Sequence, residues 1–263
     1  LRSPTSGWRF VTSEEKDSVS GDLANPDPLH PGFTHLRDLY FSVNPSYEGR
    51  FTVPTLWDKK TNTIVSNESS EIIRMFYTEF DSLLPQKYKD VVLFPKDLQS
   101  QIEATNEWTY NDINNGVYKS GFATTQDAYE KAVRQLFTSL DRAEAHLKEQ
   151  SAKNTGPYYY GASITEADVR LFTTIIRFDV VYVQHFKCNI RDIRSGYPYL
   201  HAWVRNLYWK HPESFGEATT DFVHIKSHYT KSHKQINQFS ITPVGPLPDI
   251  LGVGEEVAAV GKA

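Results

Sequence analysis

Two short stretches carry residue types suited to gripping a small peptide: the Val53-Pro54 step in TVPTLWD, and the Glu68-Ser69 pair that opens the run ESSEII. X-Pro is the one common setting for a cis peptide bond. A strand ending in such a bond at Val53-Pro54 turns the Val53 N–H and C=O outward, where an extended ligand can pair with them as a short antiparallel strand would. At a helix start the unpaired N–H groups and the positive end of the helix dipole suit a carboxylate. Ser69 adds a hydroxyl donor there and Glu68 an acceptor for an ammonium, so the pair fits an α-amino acid head. The blander reading is an ordinary N-cap after an ordinary hairpin, and from spacing alone it is the stronger of the two.

Other reactive side chains are harder to place. The sequence has one cysteine, Cys188, in HFKCN directly after an apolar run, where a free thiol is usually buried and inert. A single cysteine excludes an internal disulfide framework and fits a reducing, cytoplasmic setting. His224, His228 and His233 imitate a metal cluster, the first two being one helical turn apart. No cysteine or carboxylate of matching spacing completes a set of ligands, so no metal is expected. Fifteen tyrosines, fifteen phenylalanines and five tryptophans point to an aromatic core with phenols available for chemistry. Taken singly, each tyrosine reads as a half-buried core residue.

These groups need elements to position them, and the texture of the chain changes along its length. Residues 1–35 are rich in Ser, Pro, Gly and Asp and read as loop, and HLRDLYFSV as a short helical or irregular link. FTVPTLWD and TIVSN are β-branched runs separated by the polar KKTN, the pattern of an antiparallel hairpin. From Ser69 the positions Ile72, Ile73, Phe76, Phe80 and Leu83 recur at helical spacing up to Pro85. Beyond it strand signals almost vanish. Helical periodicity runs over 95–115 and 125–149, the latter with the stripe Ala132, Leu136, Leu140, Ala143 and Leu147. Further helices are expected over 163–186, within YPYLHAWVRNLYW, and over 222–234. Thr165 and Asp168 stand in the relation of a capping box, with Ile164 and Val169 as its hydrophobic staple, which assigns this pair to folding.

The fold expected is therefore α+β followed by all-α: residues 1–84, then a helical domain over 85–235, then a Pro/Gly-punctuated tail over 236–263 that lies on the surface or wraps a neighbour. A net charge of −4 with scattered cations offers no surface for nucleic acid or an anionic membrane. No apolar run approaches the ~20 residues that span a bilayer, and no secretory signal is visible, so a soluble protein is expected.

The hairpin with Val-Pro, the Glu-Ser helix start and the helical second domain with its Thr-x-x-Asp box together resemble the glutathione transferase superfamily. The segments YEGRFTVPTLWDKKTNTIVSNESSEIIRMF, NNGVYKSGFATTQDAY, TEADVRLFTTIIRFDVVYVQHFKCN and HIKSHYTKSHKQIN are similar to one branch, the glutathionyl-hydroquinone reductases or xi-class, omega-like transferases. The resemblance runs from about Gly7 to about Asn237. It implies a thioredoxin-like domain joined to a helical domain, a homodimer, and glutathione as co-substrate in a site between the domains. Trp8, the strand Arg50, Phe51, Thr52 and Val53, and Glu68 and Ser69 are implied as its contacts. The implied reaction removes glutathione from a glutathionyl-hydroquinone: a cysteine attacks the glutathione sulfur, and a second glutathione resolves the mixed disulfide. Tyr118 of NNGVY is implied as proton donor, with Tyr182 and Tyr229 favouring the thiolate.

The family's nucleophile sits in a Cys-Pro-Trp-Ala type motif upstream of the Gly-Trp segment, and these 263 residues contain no such motif. The thioredoxin-like domain is accordingly expected to be incomplete, with the cysteine belonging to sequence before Leu1. The alternatives are a relative without the cysteine that binds glutathione conjugates or serves as a dimeric scaffold, and a conventional transferase activating glutathione through a hydroxyl. The presence of Tyr118, Tyr182 and Tyr229 together favours the reductase. The sequence does not specify which quinone is used.

Overall fold

The computed structural model describes residues 2–3, 7–12, 15 and 27–255. The chain divides into two compact units, Leu1–Val91 and Val92–Ala263.

In the first unit, β1 (Arg2–Ser3) pairs antiparallel with β2 (Gly7–Trp8). This ladder lies within the segment expected as loop, and two-residue strands are too short for alternation to register in sequence. Helix α1 (Leu36–Val43) begins where the Asp38 carboxylate accepts from the backbone N–H of Thr34 and His35, both at 2.9 Å. It buries Leu36, Leu39 and Tyr40 against Trp8, Phe10, Phe33, Tyr47, Phe51, Trp57 and Ile64. The expected hairpin forms as β3 (Leu56–Asp58) and β4 (Thr63–Ser66), antiparallel, with Trp57 opposite Ile64. Its turn is closed by Asp58 Oδ1, which accepts from Lys60 N at 2.8 Å, and by Asn62 at φ 51°, a conformation Asn tolerates better than most residues.

Helix α2 (Ser69–Thr78) starts at Ser69 but stops short of the expected end near residue 84. Ile72 is its buried residue, whereas Phe76 is 52% exposed and Leu83 78%. The apolar spacing continues, but among the described residues nothing in this unit covers it; the chain leaves the helix and makes one separate tight turn at Asp81–Leu83.

The second unit is helical. Helices α3 (Gln99–Trp108) and α4 (Asn115–Gly121) are joined by a widened π segment, Thr109–Asn114, in which Asn115 N–H donates five residues back to Tyr110 O. Helix α5 (Gln126–Ala152) is capped by Thr125 and buries Leu136, Leu140, Ala143 and Leu147 of the expected stripe. Helix α6 (Glu166–Arg177) also runs into a π segment, Phe178–Tyr182, where Val183 N–H donates to Phe178 O. Helices α7 (Pro198–Lys210) and α8 (Phe222–Ser232) complete the unit. The faces of α4, α5, α6, α7 and α8 meet in one core that includes Ile113, Leu136, Leu171, Phe178, Leu200 and Leu207, all fully buried.

The capping box at Thr165 is present, and its carboxylate does more than the local pattern implies. Asp168 accepts from Thr165 N at 2.9 Å and Thr165 Oγ1 at 3.0 Å, and also from Tyr159 N at 2.8 Å and the Trp203 indole at 2.9 Å. The box is thereby tied to α7. Nearby, Glu144 on α5 accepts from Tyr199 N at 2.9 Å and Leu200 N at 2.8 Å, and so caps α7 from a neighbouring helix.

The tail follows its own helical unit. Arg194 donates to Pro248 O at 2.8 Å, Arg205 to Gly252 O at 2.8 Å, the Trp209 indole to Leu251 O at 2.9 Å, and Lys226 to Val244 O at 3.0 Å while pairing with Asp249. Backbone carbonyls of a segment with little regular structure thus find donors on the helices it crosses.

Candidate functional site

In the first unit the strand and the helix start that sequence spacing linked are brought together. The Val53-Pro54 bond is cis. The segment before it is held from beneath: the Tyr40 hydroxyl donates to Thr52 O at 2.8 Å, Thr55 Oγ1 donates to the same oxygen at 2.9 Å, and the Tyr47 hydroxyl donates to Arg50 O at 3.1 Å. Asn67, one residue before the cap of α2, donates to Thr52 Oγ1 at 3.1 Å and fastens the strand to the helix start. Above this support Val53 is 51% exposed, and Arg50, Glu68 and Ser69 are exposed as well.

Glu68 is the N-cap of α2, yet its carboxylate does not cap the helix. Capping falls to its neighbours: Ser66 Oγ accepts from Glu68 N at 3.1 Å and donates to Glu71 Oε2 at 2.8 Å. The Glu68 carboxylate and Ser69 hydroxyl are therefore uncommitted among the described residues, beside a helix terminus that favours anions. Trp8 and Phe51 are half-buried in the aromatic core below. Asn67, Tyr40 and Tyr47 were missed by the sequence reading, because the contacts that give them a role span between 3 and 15 residues and follow no helix or strand period.

In the second unit Tyr118, Tyr182 and Tyr229 form one hydrogen-bonded cluster. The Tyr229 hydroxyl lies 2.7 Å from that of Tyr118 and 2.9 Å from that of Tyr182. Tyr118 is on α4, one turn past the first π segment; Tyr182 is the last residue of the second; Tyr229 comes from α8. A π turn inserts a residue and rotates the face that follows, so the two widened turns set which way Tyr118 and Tyr182 point. Phe186 packs among the three, parallel to Tyr182 at 5.4 Å and against Tyr118 at 5.2 Å. Gly121 makes room for it: a Cβ at that position would come within 2.1 Å of the Phe186 ring.

Exposure grades across the cluster, from Tyr118 at 38% to Tyr229 at 8% and Tyr182 at 2%. Burial holds the Tyr118 and Tyr182 phenols above their ordinary value, so both are protonated at neutral pH. Such an assembly can donate a hydrogen bond or a proton at its open end, and it does not supply a base.

The remaining candidates fall outside this chemistry. Cys188 is fully buried, and burial pushes its thiol up to about 12, the opposite of what a nucleophile needs. The histidine that meets His233 is His185, Nε2 to Nδ1 at 3.1 Å, and burial lowers His185 to about 4. His224 and His228 lie side by side with ring centroids 6.0 Å apart. Among the described residues no group of three or more His, Cys, Asp and Glu could hold a metal, and no helix is long and apolar enough to cross a membrane.

The chain is similar to known proteins over most of its length. Residues 126–206 match the family model described as Glutathione S-transferase, C-terminal domain. The chain is 54% identical over 245 residues to Glutathione S-transferase omega-like 2 of Schizosaccharomyces pombe, covering 93% of this chain and 74% of that protein. It is 46% identical to Glutathionyl-hydroquinone reductase YqjG of Escherichia coli, over 93% of this chain and 68% of that one. The crystal structure of the Xi glutathione transferase ECM4 from Saccharomyces cerevisiae in complex with glutathione superimposes with a TM-score of 0.85 at 44% identity, over 94% of this chain and 82% of that chain.

The chain belongs to the xi-class glutathione transferases. Its fold is that family's, an α+β thioredoxin-like part followed by an all-helical part, and the family is one of enzymes that includes the glutathionyl-hydroquinone reductases. The chain spans between 63% and 74% of the length of the curated relatives it matches.

Proposed function

We propose that the complete protein is a glutathionyl-hydroquinone reductase, with glutathione held by Trp8, Arg50, Phe51, Thr52, Val53, Glu68 and Ser69, and with Tyr118 as the acid. The observation that carries this reading is the cluster of Tyr118, Tyr229 and Tyr182, whose hydroxyls lie 2.7 and 2.9 Å apart in series. A glutathione-binding scaffold has no use for a protonated phenol backed by two more. Cleavage of a thioether to carbon requires such an acid.

The nucleophile in this reading is a cysteine of sequence upstream of Leu1, since Cys188 is buried and its thiol is pushed up to about 12. Its thiolate attacks the glutathione sulfur of the conjugate. A sulfur–sulfur bond forms as the ring carbon–sulfur bond breaks, and the bonding pair passes to the ring carbon, which takes a proton from Tyr118. Hydroquinone leaves, and the cysteine remains as a mixed disulfide with glutathione. A second glutathione thiolate then attacks the bound glutathione sulfur, releasing the cysteine and glutathione disulfide.

Glutathione fits the first unit chemically. Its γ-glutamyl head carries the carboxylate and ammonium that a helix N-terminus with Ser69 and the Glu68 carboxylate can take, and its cysteinyl backbone suits the Val53 edge. In domain terms, residues 1–84 hold glutathione, 85–235 supply the acid, and 236–263 are a tail. A cytoplasmic homodimer acting on quinone-derived conjugates completes the proposal.

The test is turnover of a glutathionyl-hydroquinone by the complete polypeptide. Tyr118→Phe should lower kcat by about 10²–10⁴-fold, the usual contribution of a positioned acid, with glutathione binding unchanged. An unaltered kcat would remove Tyr118 from the mechanism, and absence of turnover by the complete wild-type protein would remove the reaction.

A further inference from the structure

We propose that the tail between Ile236 and Ile250 is a strap that fixes α8, with Lys226 and Asp249 as its positioning residues, and that through α8 it sets the hydroxyl of Tyr229. Ile236 and Ile250 pack against the helical core and anchor the two ends of this stretch. Between them Pro243 and Pro246 are half-buried, but Phe239, Ile241, Val244 and Leu247 are between 67% and 80% exposed. Burial of apolar surface therefore holds little of the stretch, and its polar bonds decide where it lies.

Those bonds converge on one stripe of α8, since Lys226 and Thr230 are a helical turn apart. Lys226 is 8% exposed, and its ammonium donates to Val244 O at 3.0 Å and pairs with Asp249. Thr230 is 2% exposed; its hydroxyl lies 2.7 Å from that of Thr242, and its carbonyl accepts from Asn237 Nδ2 at 3.0 Å. The adjoining stripe of the helix, Ile225 and Tyr229, belongs to the core. Helix α8 is thus held by the core along one stripe and by the strap along the next.

A buried ammonium is stable only with partners, and among the described residues those of Lys226 are both in the tail. Without the Asp249 carboxylate the helix is driven to turn or fray until the ammonium reaches water. Tyr229 follows Lys226 by three residues on the same helix and moves with it. Its hydroxyl stands 2.7 Å from that of Tyr118 and 2.9 Å from that of Tyr182, and a displacement of about 1 Å takes such bonds out of range. The consequence for catalysis rests on the reductase reading; the strap itself does not.

Amide hydrogen exchange in the complete polypeptide reads the strap directly. Asp249→Asn should speed exchange at the amides of Tyr229 to Ser232 about tenfold or more, while those of Leu136 and Leu140 on α5 keep wild-type rates. Thr242→Val, which removes only the bond to Thr230, should speed the same amides by a smaller factor. Lys226→Met combined with Asp249→Leu leaves no buried charge and should restore the protection of α8. Unchanged exchange in α8 on Asp249→Asn, or equal acceleration in α5, overturns the strap, and failure of the double variant to restore protection overturns the assignment to Lys226 and Asp249. With a glutathionyl-hydroquinone as substrate, Asp249→Asn should lower kcat about 10–100-fold with KM unchanged, and the double variant should recover it. Wild-type kcat beside a loosened α8 overturns the positioning of Tyr229 and leaves the reductase reading intact; no turnover by the wild type removes that reading and leaves the exchange result standing.

Discussion

Replacing Asp168 with alanine should destabilise the helical unit far more than the loss of a helix cap. An exposed capping box contributes about 1 kcal/mol. Here the carboxylate is fully buried and accepts four hydrogen bonds, from Thr165 N, Thr165 Oγ1, Tyr159 N and the Trp203 indole. The threonine hydroxyl can turn to another acceptor after truncation, but three N–H groups cannot. Each stranded donor costs about 1–3 kcal/mol. Against that, the carboxylate no longer has to be desolvated, a cost visible in its pKa, which burial raises despite the four donors. Taking the lower part of the range for each donor gives about 3–5 kcal/mol net. Urea unfolding followed by far-ultraviolet circular dichroism reads this directly. Trp203→Phe, alone and combined with Asp168→Ala, isolates the interhelical part, for which a coupling of about 1–2 kcal/mol is expected. A total loss near 1 kcal/mol with no coupling to Trp203 would mean that the box acts locally and that the tie to α7 is energetically idle.

Three further outcomes are expected. Asp179 accepts from Ile193 N at 2.7 Å and Arg194 N at 3.0 Å, and burial raises its pKa to about 6. Its folded value lies above the unfolded one, so the native state binds the extra proton and this group's contribution falls as pH rises from about 4 to about 6; the stability gap between wild type and Asp179→Asn, measured by denaturant titration at several pH values, should change in wild type's disfavour across that window. Gly121→Ala forces a Cβ to within 2.1 Å of Phe186, which should cost about 1–3 kcal/mol in unfolding experiments and alter the near-ultraviolet dichroism of the tyrosine cluster; a wild-type spectrum would show that Phe186 moves away freely. Glu68→Ala should weaken glutathione binding by isothermal titration about tenfold or more, as an ionic hydrogen bond of at least ~1.5 kcal/mol is lost, while stability is unchanged because Glu68 does not cap its own helix with its side chain.

Much of the fold was legible because its signals are local. The Thr165–Asp168 box, the stripe on α5 and the KKTN hairpin each depend on residues within one turn or one pleat of each other, where spacing alone reports geometry. The start of α2 at Ser69 was legible for the same reason. Its end was not: the stripe of Phe76, Phe80 and Leu83 continues in sequence, but these side chains stay exposed within the unit, and periodicity records which face a helix would bury without recording whether anything covers it.

The site divides along the same line. The sequence by itself determined the types of group present: an X-Pro strand edge, an acid and a hydroxyl at a helix start, three tyrosines in long family-like motifs, and a lone cysteine after the most apolar helix. Only the tertiary structure decided how they are used. It joined Thr52 to Asn67, and set Tyr118, Tyr182 and Tyr229 in one hydrogen-bonded cluster across separations of 111 and 47 residues, whereas the burial of Cys188 is the one its sequence position led us to expect. The two π segments that aim Tyr118 and Tyr182, and the glycine that admits Phe186 between helices, owe their effect to packing against partners far along the chain. Helical period carries no information about such contacts, because it describes one segment's own face, whereas the order of exposure from Tyr182 out to Tyr118 exists only once several faces have met.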